Sequence, residues 1–371
     1  MLARRRLLEG SGALLAAAGL ASRNAAADWT SINPGEAGFP DDLGVRIDRY
    51  VLPGKNIHGI VVVRRGRMVL ERYYEGEDQV RIEGGRTRTE RVSFNAERSH
   101  ELRSVTKSIV GLLYGIALGE GRVPPPDAPL LAQFPQYGDL PDLAQRQRWT
   151  IAHALTMTLG MDWNEELSYE DPRNGQTAME AAPDRYRYAL AQPIVAVAGE
   201  RWIYSGGATV LIGKIIEKGV GGSVHDYARA ALFDPLGIGP TEWRIGRDGE
   251  MNFASGLAMR PHDLARVGEL VLDGGKVGER QVVPADWLEA SFKPAARISD
   301  RLQYGYHWYL SNVVRAARQR GRFLAAFGNG GQRLFAFPEL ALVVVVTAGN
   351  YNRHDRLSDD LVNEVVLASL L

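Results

Sequence analysis

Ser104 and Lys107 stand three residues apart in Arg103-Ser104-Val105-Thr106-Lys107-Ser108-Ile109-Val110 and form the only Ser-x-x-Lys of the chain. A hydroxyl beside an amine is a candidate nucleophile beside a candidate base. Ile109, Val110, Leu112, Leu113 and Ile116 follow at helical spacing, which predicts a buried or half-buried helix from 104 to about 118. Residues three apart on a helix share a face, with Cβ atoms about 5–6 Å apart, so the amine can reach the hydroxyl. A Ser in the first turn also keeps its own N–H outside the helical ladder, near the positive end of the dipole, where an oxyanion would be stabilised.

The lysine is informative because the chain rarely uses one. Only six of its 44 basic residues are Lys. A guanidinium stays protonated, whereas a desolvated ammonium can lose its proton near neutral pH and act as a base.

Two later segments suit the same chemistry. Trp202-Ile203-Tyr204-Ser205-Gly206-Gly207 places a phenol before a helical run of Val210, Leu211, Ile212, Ile215 and Ile216. Tyr204 can relay protons there, and a neighbouring ammonium would favour its phenolate; the plain alternative is a buried Tyr ahead of a helix. Phe327-Gly328-Asn329-Gly330-Gly331-Gln332 lies between strand-like runs, where glycines let the backbone pass close to a ligand and the following N–H can serve as a second oxyanion donor. The plain alternative is a Gly-rich β-turn. It is not a dinucleotide fingerprint, because Arg333 stands where the last glycine belongs.

Elements on both ends of the chain must position these groups. Gly59–Val63 and Met68–Tyr74 read as a hairpin around Arg64-Arg65-Gly66-Arg67, and strand character returns in 304–310, 322–327, 333–337 and 342–347. Residues 105–294 are mostly helical in pattern, punctuated by Pro/Gly loops, and 356–371 alternates like an amphipathic helix. The expected architecture is α/β (α+β): an antiparallel sheet flanked by helices, from 28–104 plus 295–371, with a mostly helical region 105–294 inserted and a cleft between the two.

Composition narrows the partners. With 371 residues, 45% hydrophobic content and zero formal charge, the chain can bury a large core and has no basic stripe for nucleic acid. Ala3-Arg4-Arg5-Arg6-Leu7-Leu8, an apolar stretch of about ten residues and Ala25-Ala26-Ala27 read as a signal peptide over 1–27 with a twin-arginine look; a general secretion signal is the alternative. Export to the periplasm or medium is therefore expected, with no stable membrane anchor after cleavage. Loss of residues 1–27 leaves a formal charge of −3. With no Cys there are no disulfides and no thiolate chemistry, and the seven His show no H-E-x-x-H or clustered spacing, so no metal site is expected. Glu165-Glu166 reads as a solvated loop, since adjacent residues do not face one another.

In order, Ser-x-x-Lys, Tyr-Ser-Gly and Gly-Asn-Gly-Gly-Gln resemble the three motif boxes of the serine β-lactamase and penicillin-binding protein superfamily. His58–Gly66, Leu155–Trp163, Leu232–Gly237 and Ser255–Ala265 resemble its class C β-lactamase-like branch, and within it the chain looks most similar to esterases and 6-aminohexanoate-dimer hydrolases. The resemblance implies a β-lactamase-like fold, Ser104 as acylated nucleophile, Lys107 as general base, Tyr204 as proton relay to the leaving group, and the N–H groups of Ser104 and Gln332 as the oxyanion hole. It also places Trp163, Tyr169, Asn329, Gly330 and Gly331 as substrate contacts, with core or surface packing as the alternative for Trp163 and Tyr169, and implies neither a metal nor an organic cofactor.

Two departures bear on the substrate. Gly206 stands where β-lactamases usually have Asn, and Asn329 where they have the Lys that helps hold a substrate carboxylate. Arg333 can compensate if it turns into the cleft and not if it faces away. The expectation is a serine hydrolase of esters or small linear amides. A β-lactamase or D-alanyl-D-alanine peptidase, and a catalytically silent binding protein or sensor, stay open as alternatives.

Overall fold

The computed structural model describes residues 29–52, 54–81, 87–316, 319–353 and 355–371. The expected signal segment, 1–27, lies outside the described residues. An eight-stranded antiparallel sheet carries the fold, in the spatial order Ala296–Arg297, Gln303–Tyr304, Tyr309–Ala316, Gln319–Gly328, Gln332–Phe337, Leu342–Ala348, Ile57–Arg64 and Arg67–Tyr73. Both ends of the chain therefore build it, and the hairpin read from the sequence forms its edge.

The two central strands are apolar at nearly every position because both faces are covered. Val61 and Val63 pair with Val345 and Val343 and face the larger core, while Ile60 and Val62 pair with Val346 and Val344 and face the smaller one. Each of these side chains is fully buried, contributing about 1.5–3 kcal/mol by removal from water. The helix Pro261–Leu272 lies on the larger-core face, where Gly268 allows close approach: a Cβ there would come within 2.5 Å of Val343. On the other face sit Leu43–Val51 and the helical C-terminal segment, through Leu361, Val362 and Val366.

The helix Val105–Gly119 is buried on every side through Ala117, so a polar group on it is forced into the interior. It packs against Gly206–Val220, the helix opened by the second motif. The strand expected over 304–310 is broken. His307 adopts a φ of 59°, its N–H reaching Leu155 O at 2.9 Å and its carbonyl accepting from Ser108 Oγ at 2.6 Å. Bonding to the helical region thus diverts this stretch from the sheet before the next strand starts at Tyr309.

Candidate active site

Ser104 sits at a sharp strand-to-helix turn. The short strand His100–Glu101 ends, Arg103 takes a left-handed φ of 51°, and the helix begins at Val105 with Ser104 as its N-cap. A non-glycine residue in that region is costly and persists only when its surroundings impose it. Here Arg103 bonds Gln79 at 3.0 Å, approaches Glu101 at 3.7 Å and lies 4.5 Å over the Tyr351 ring. A Ser at an N-cap ordinarily spends its hydroxyl on the backbone of the first turn. Ser104 makes no such bond. Its Oγ accepts from Lys107 Nζ at 2.9 Å.

Lys107 is 2% exposed and donates a second bond to Ala254 O, also at 2.9 Å. Burial pulls its pKa down from 10.5 to about 8, against the opposing pull of Glu165 and then Glu180. The Nζ also stands 4.9 Å from the Tyr204 ring centroid. Tyr204 itself is pushed well up by burial and then by Glu165, while its hydrogen bond with Ser104 acts in the opposite direction. The phenolate considered from sequence is therefore disfavoured: Tyr204 is a neutral phenol, able to donate a proton. The next residue, Ser205, caps the helix through Ala208 N–H at 3.2 Å, which fixes where Tyr204 leaves the backbone.

Glu165 is the member of the site that sequence reasoning missed. It lies in a loop, as expected, next to the exposed Glu166, but is itself half-buried and accepts from Trp163 Nε1 at 2.6 Å, Tyr169 OH at 2.9 Å and Gly206 N–H at 2.5 Å. A Cβ on Gly206 would come within 2.9 Å of Glu165 Oε1 and 2.8 Å of Gln176 Oε1. The carboxylate and the neighbouring amide thus fill the space that a side chain at 206 would take. The visible signal was the glycine in the second box; which residue occupied the vacated volume was not visible.

The third motif forms a turn between Gln319–Gly328 and Gln332–Phe337, with Gly330 and Gly331 at φ 89° and 95°. Gly328 brings it against the segment leading to Ser104, since a Cβ there would lie 2.4 Å from Leu102 O. The Gln332 side chain is fully buried and turned into the sheet, donating to Ala348 O at 2.6 Å and accepting from Ala348 N–H at 3.2 Å. Asn329 exchanges bonds with Asn352, at 3.1 and 2.9 Å. Its amide therefore fastens two loops together. Arg333 faces away, paired with Asp359 by two 3.0 Å bonds and 4.9 Å from the Phe327 ring.

A cleft of about 730 Å³ opens over this centre, and Ser104, Tyr169, Gln176, Ser255 and Asn329 line it. Trp163 is buried beneath, its indole bonded to Glu165 and edge-on to Tyr188. Gly330 and Gly331 belong to the turn and not to the cleft lining. Gln176 Nε2 donates to Glu180 at 3.0 Å and Ser255 Oγ at 3.3 Å, which orients the amide and leaves its buried Oε1 without a partner.

The family model described as Beta-lactamase matches residues 47–367. The chain belongs to the Beta-lactamase family. This is a hydrolase family of the serine β-lactamase fold, and the antiparallel sheet flanked by helices is its architecture. A 6-aminohexanoate-dimer hydrolase of Paenarthrobacter ureafaciens is 25% identical over 307 residues, 76% of this chain and 70% of that protein. Among solved structures, a putative 6-aminohexanoate-dimer hydrolase from Bacillus anthracis aligns with a TM-score of 0.69 at 17% identity, over 86% of this chain and 80% of that one. EstCE1, a hydrolase with promiscuous acyltransferase activity, aligns at 0.68 and 16%, over 88% and 98%. At such identities the structural likenesses establish the fold alone.

Proposed function

We propose that this Beta-lactamase family member is an exported serine hydrolase that transfers an acyl group to Ser104 and then to water, acting on small linear amides or esters. The observation that carries the reading is the 2.9 Å contact between Ser104 Oγ and a buried Lys107 whose pKa is about 8. In its neutral form Lys107 takes the Ser104 proton as Oγ attacks the carbonyl carbon, and the oxyanion forms beside the N–H groups of Ser104 and Gln332. Tyr204 gives its proton to the leaving nitrogen or oxygen and recovers one from the Lys107 ammonium. Water then attacks the acyl-enzyme by the reverse relay, releasing the acid and restoring Ser104.

Three features weaken the hold on a substrate carboxylate at the third motif, while Arg103, Arg244 and Arg247 line the cleft elsewhere. Asn329 replaces a cation and is engaged with Asn352, Arg333 is paired outside the cleft, and Glu165 adds negative charge beside the reacting groups. The named activities of the 6-aminohexanoate-dimer hydrolases and EstCE1 agree with amide and ester chemistry.

Labelling with a fluorophosphonate, followed by rates on a p-nitrophenyl ester, a linear amide and a cephalosporin, tests this. The expected result is label on Ser104, turnover of the first two, and none in Ser104→Ala. Folded protein that takes no label would refute the enzyme reading, and a cephalosporin turned over fastest would refute the substrate class.

A further inference from the structure

Outside the cleft, three chain segments bring two imidazoles and a carboxylate together. His58 comes from the strand Ile57–Arg64, Asp78 from Glu75–Arg81 and His100 from His100–Glu101, with ligand atoms all within 4.8 Å of one another. None of the three lines the cleft. The sequence expectation of no metal rested on the wide spacing of the histidines, and the fold removes that objection by bringing strands of three separate sheets together.

The hydrogen bonds decide the tautomers. His58 Nε2 faces only acceptors, Glu77 O at 3.0 Å and Asn56 Oδ1 at 3.3 Å, and the Asn56 amide is fixed because its Oδ1 also accepts from Glu77 N–H at 2.7 Å. His58 Nε2 is therefore protonated. His100 Nδ1 lies 3.0 Å from Glu101 O, so it too carries the proton. That leaves His58 Nδ1 and His100 Nε2, which are 2.9 Å apart, each presenting a lone pair to the other. The contact is repulsive unless a cation lies between them or one backbone bond is given up. A ligating imidazole that donates its other N–H to a backbone carbonyl is the usual second shell of a bound metal, and both rings have it.

The ring planes are set in advance. Phe94 stacks on His58 at 4.0 Å, and a Cβ at Gly76 or Gly349 would come within 2.8 Å of the His58 ring. Asp78 supplies the negative charge and is itself held by Tyr351 OH at 2.7 Å. We propose that His58, Asp78 and His100 bind a divalent transition-metal ion of zinc's class, which clamps the strand leading into Ser104. Two nitrogens and one carboxylate suit such a borderline cation and do not suit calcium or magnesium, which take oxygen ligands. The alternative occupant is an extra proton shared by the two rings. The clamp would act on catalysis through position: Glu101 follows His100 directly and approaches the strained Arg103 at 3.7 Å.

The test uses the whole folded chain, stripped with chelator and titrated with Zn²⁺ against a chromophoric competitor, with Co²⁺ as a spectroscopic probe. Expected are equimolar binding, Co²⁺ visible absorption of a low-coordinate nitrogen and oxygen site, and a rise in Tm with Zn²⁺. Asp78→Asn, nearly isosteric, should weaken binding by at least about tenfold, and His100→Ala should abolish it, each with an unchanged far-ultraviolet spectrum of the metal-free form. If His100→Ala fails to fold, Asp78→Asn alone decides. The proposal is overturned if the native chain binds no Zn²⁺, if Asp78→Asn binds it as the native chain does, or if Tm ignores Zn²⁺ while falling as pH rises, the signature of a shared proton.

Discussion

Replacing Glu165 by Gln should move the pH profile of the reaction to lower pH. The fall of the Lys107 pKa from 10.5 to about 8 corresponds to about 3.4 kcal/mol of destabilisation of ammonium relative to amine. At pH 7 that leaves about a tenth of the molecules with a neutral lysine, about three hundredfold more than an unperturbed side chain would give. Below the midpoint, kcat/KM should therefore rise about tenfold per pH unit and level off above about 8. Glu165 works against this depression, being the first charge that favours the ammonium. A glutamine keeps an oxygen for Trp163 Nε1 and Gly206 N–H and removes the charge. The midpoint should fall by about 0.5 pH units or more, so that the base form at pH 6.5 increases about threefold. The assay is kcat/KM for a neutral p-nitrophenyl ester between pH 5.5 and 9.5, with the native chain alongside, reading the midpoint and not the plateau, because lost packing changes only the plateau. A midpoint that stays put or rises would refute the electrostatic role of Glu165. A native profile with no limb near pH 8 would refute Lys107 as the base.

Lys107→Met should abolish acylation and stabilise the fold by about 1 kcal/mol at pH 7, the ammonium penalty of about 3.4 kcal/mol less two hydrogen bonds of about 1 kcal/mol each. The sign follows from a folded pKa below the unfolded one: the penalty is complete below about pH 8 and vanishes as pH rises towards 10.5, so urea titrations at pH 7 and pH 10 should show the variant's advantage shrinking. Gly206→Asn should cost about 2 kcal/mol and most activity, because its Cβ meets Glu165 and Gln176; adding Glu165→Gly should recover part of the lost Tm, and purely additive losses would deny that the two share one space. Arg333→Ala should lower stability by about 1 kcal/mol through Asp359 and leave KM for a carboxylate-bearing ester unchanged, whereas a raised KM would place Arg333 in the cleft.

The Ser104–Lys107 contact was legible because it is local. Ser104 and Lys107 lie one helical turn apart, so periodicity alone brought amine and hydroxyl to one face, and the aliphatic run after them made that helix an interior one. The central strands were legible for a related reason: unbroken Val/Ile runs fit only a sheet covered on both faces. By contrast, the break at His307 depends on bonds to Leu155 and Ser108, which no window around residue 307 contains.

What the sequence by itself determined is the chemistry available: a lone Ser-x-x-Lys at a helix start, a phenol and a glycine turn in order, and altered second and third boxes. What only the tertiary structure decided is which charges meet. Glu165 fills the space left by Gly206, Arg333 turns to Asp359, Asn329 ties to Asn352, and His58 meets His100 across segments 42 residues apart. The division is physical. Short-range spacing fixes which side chains share one turn, whereas the field around a buried amine is the sum of groups that the chain brings together from a distance.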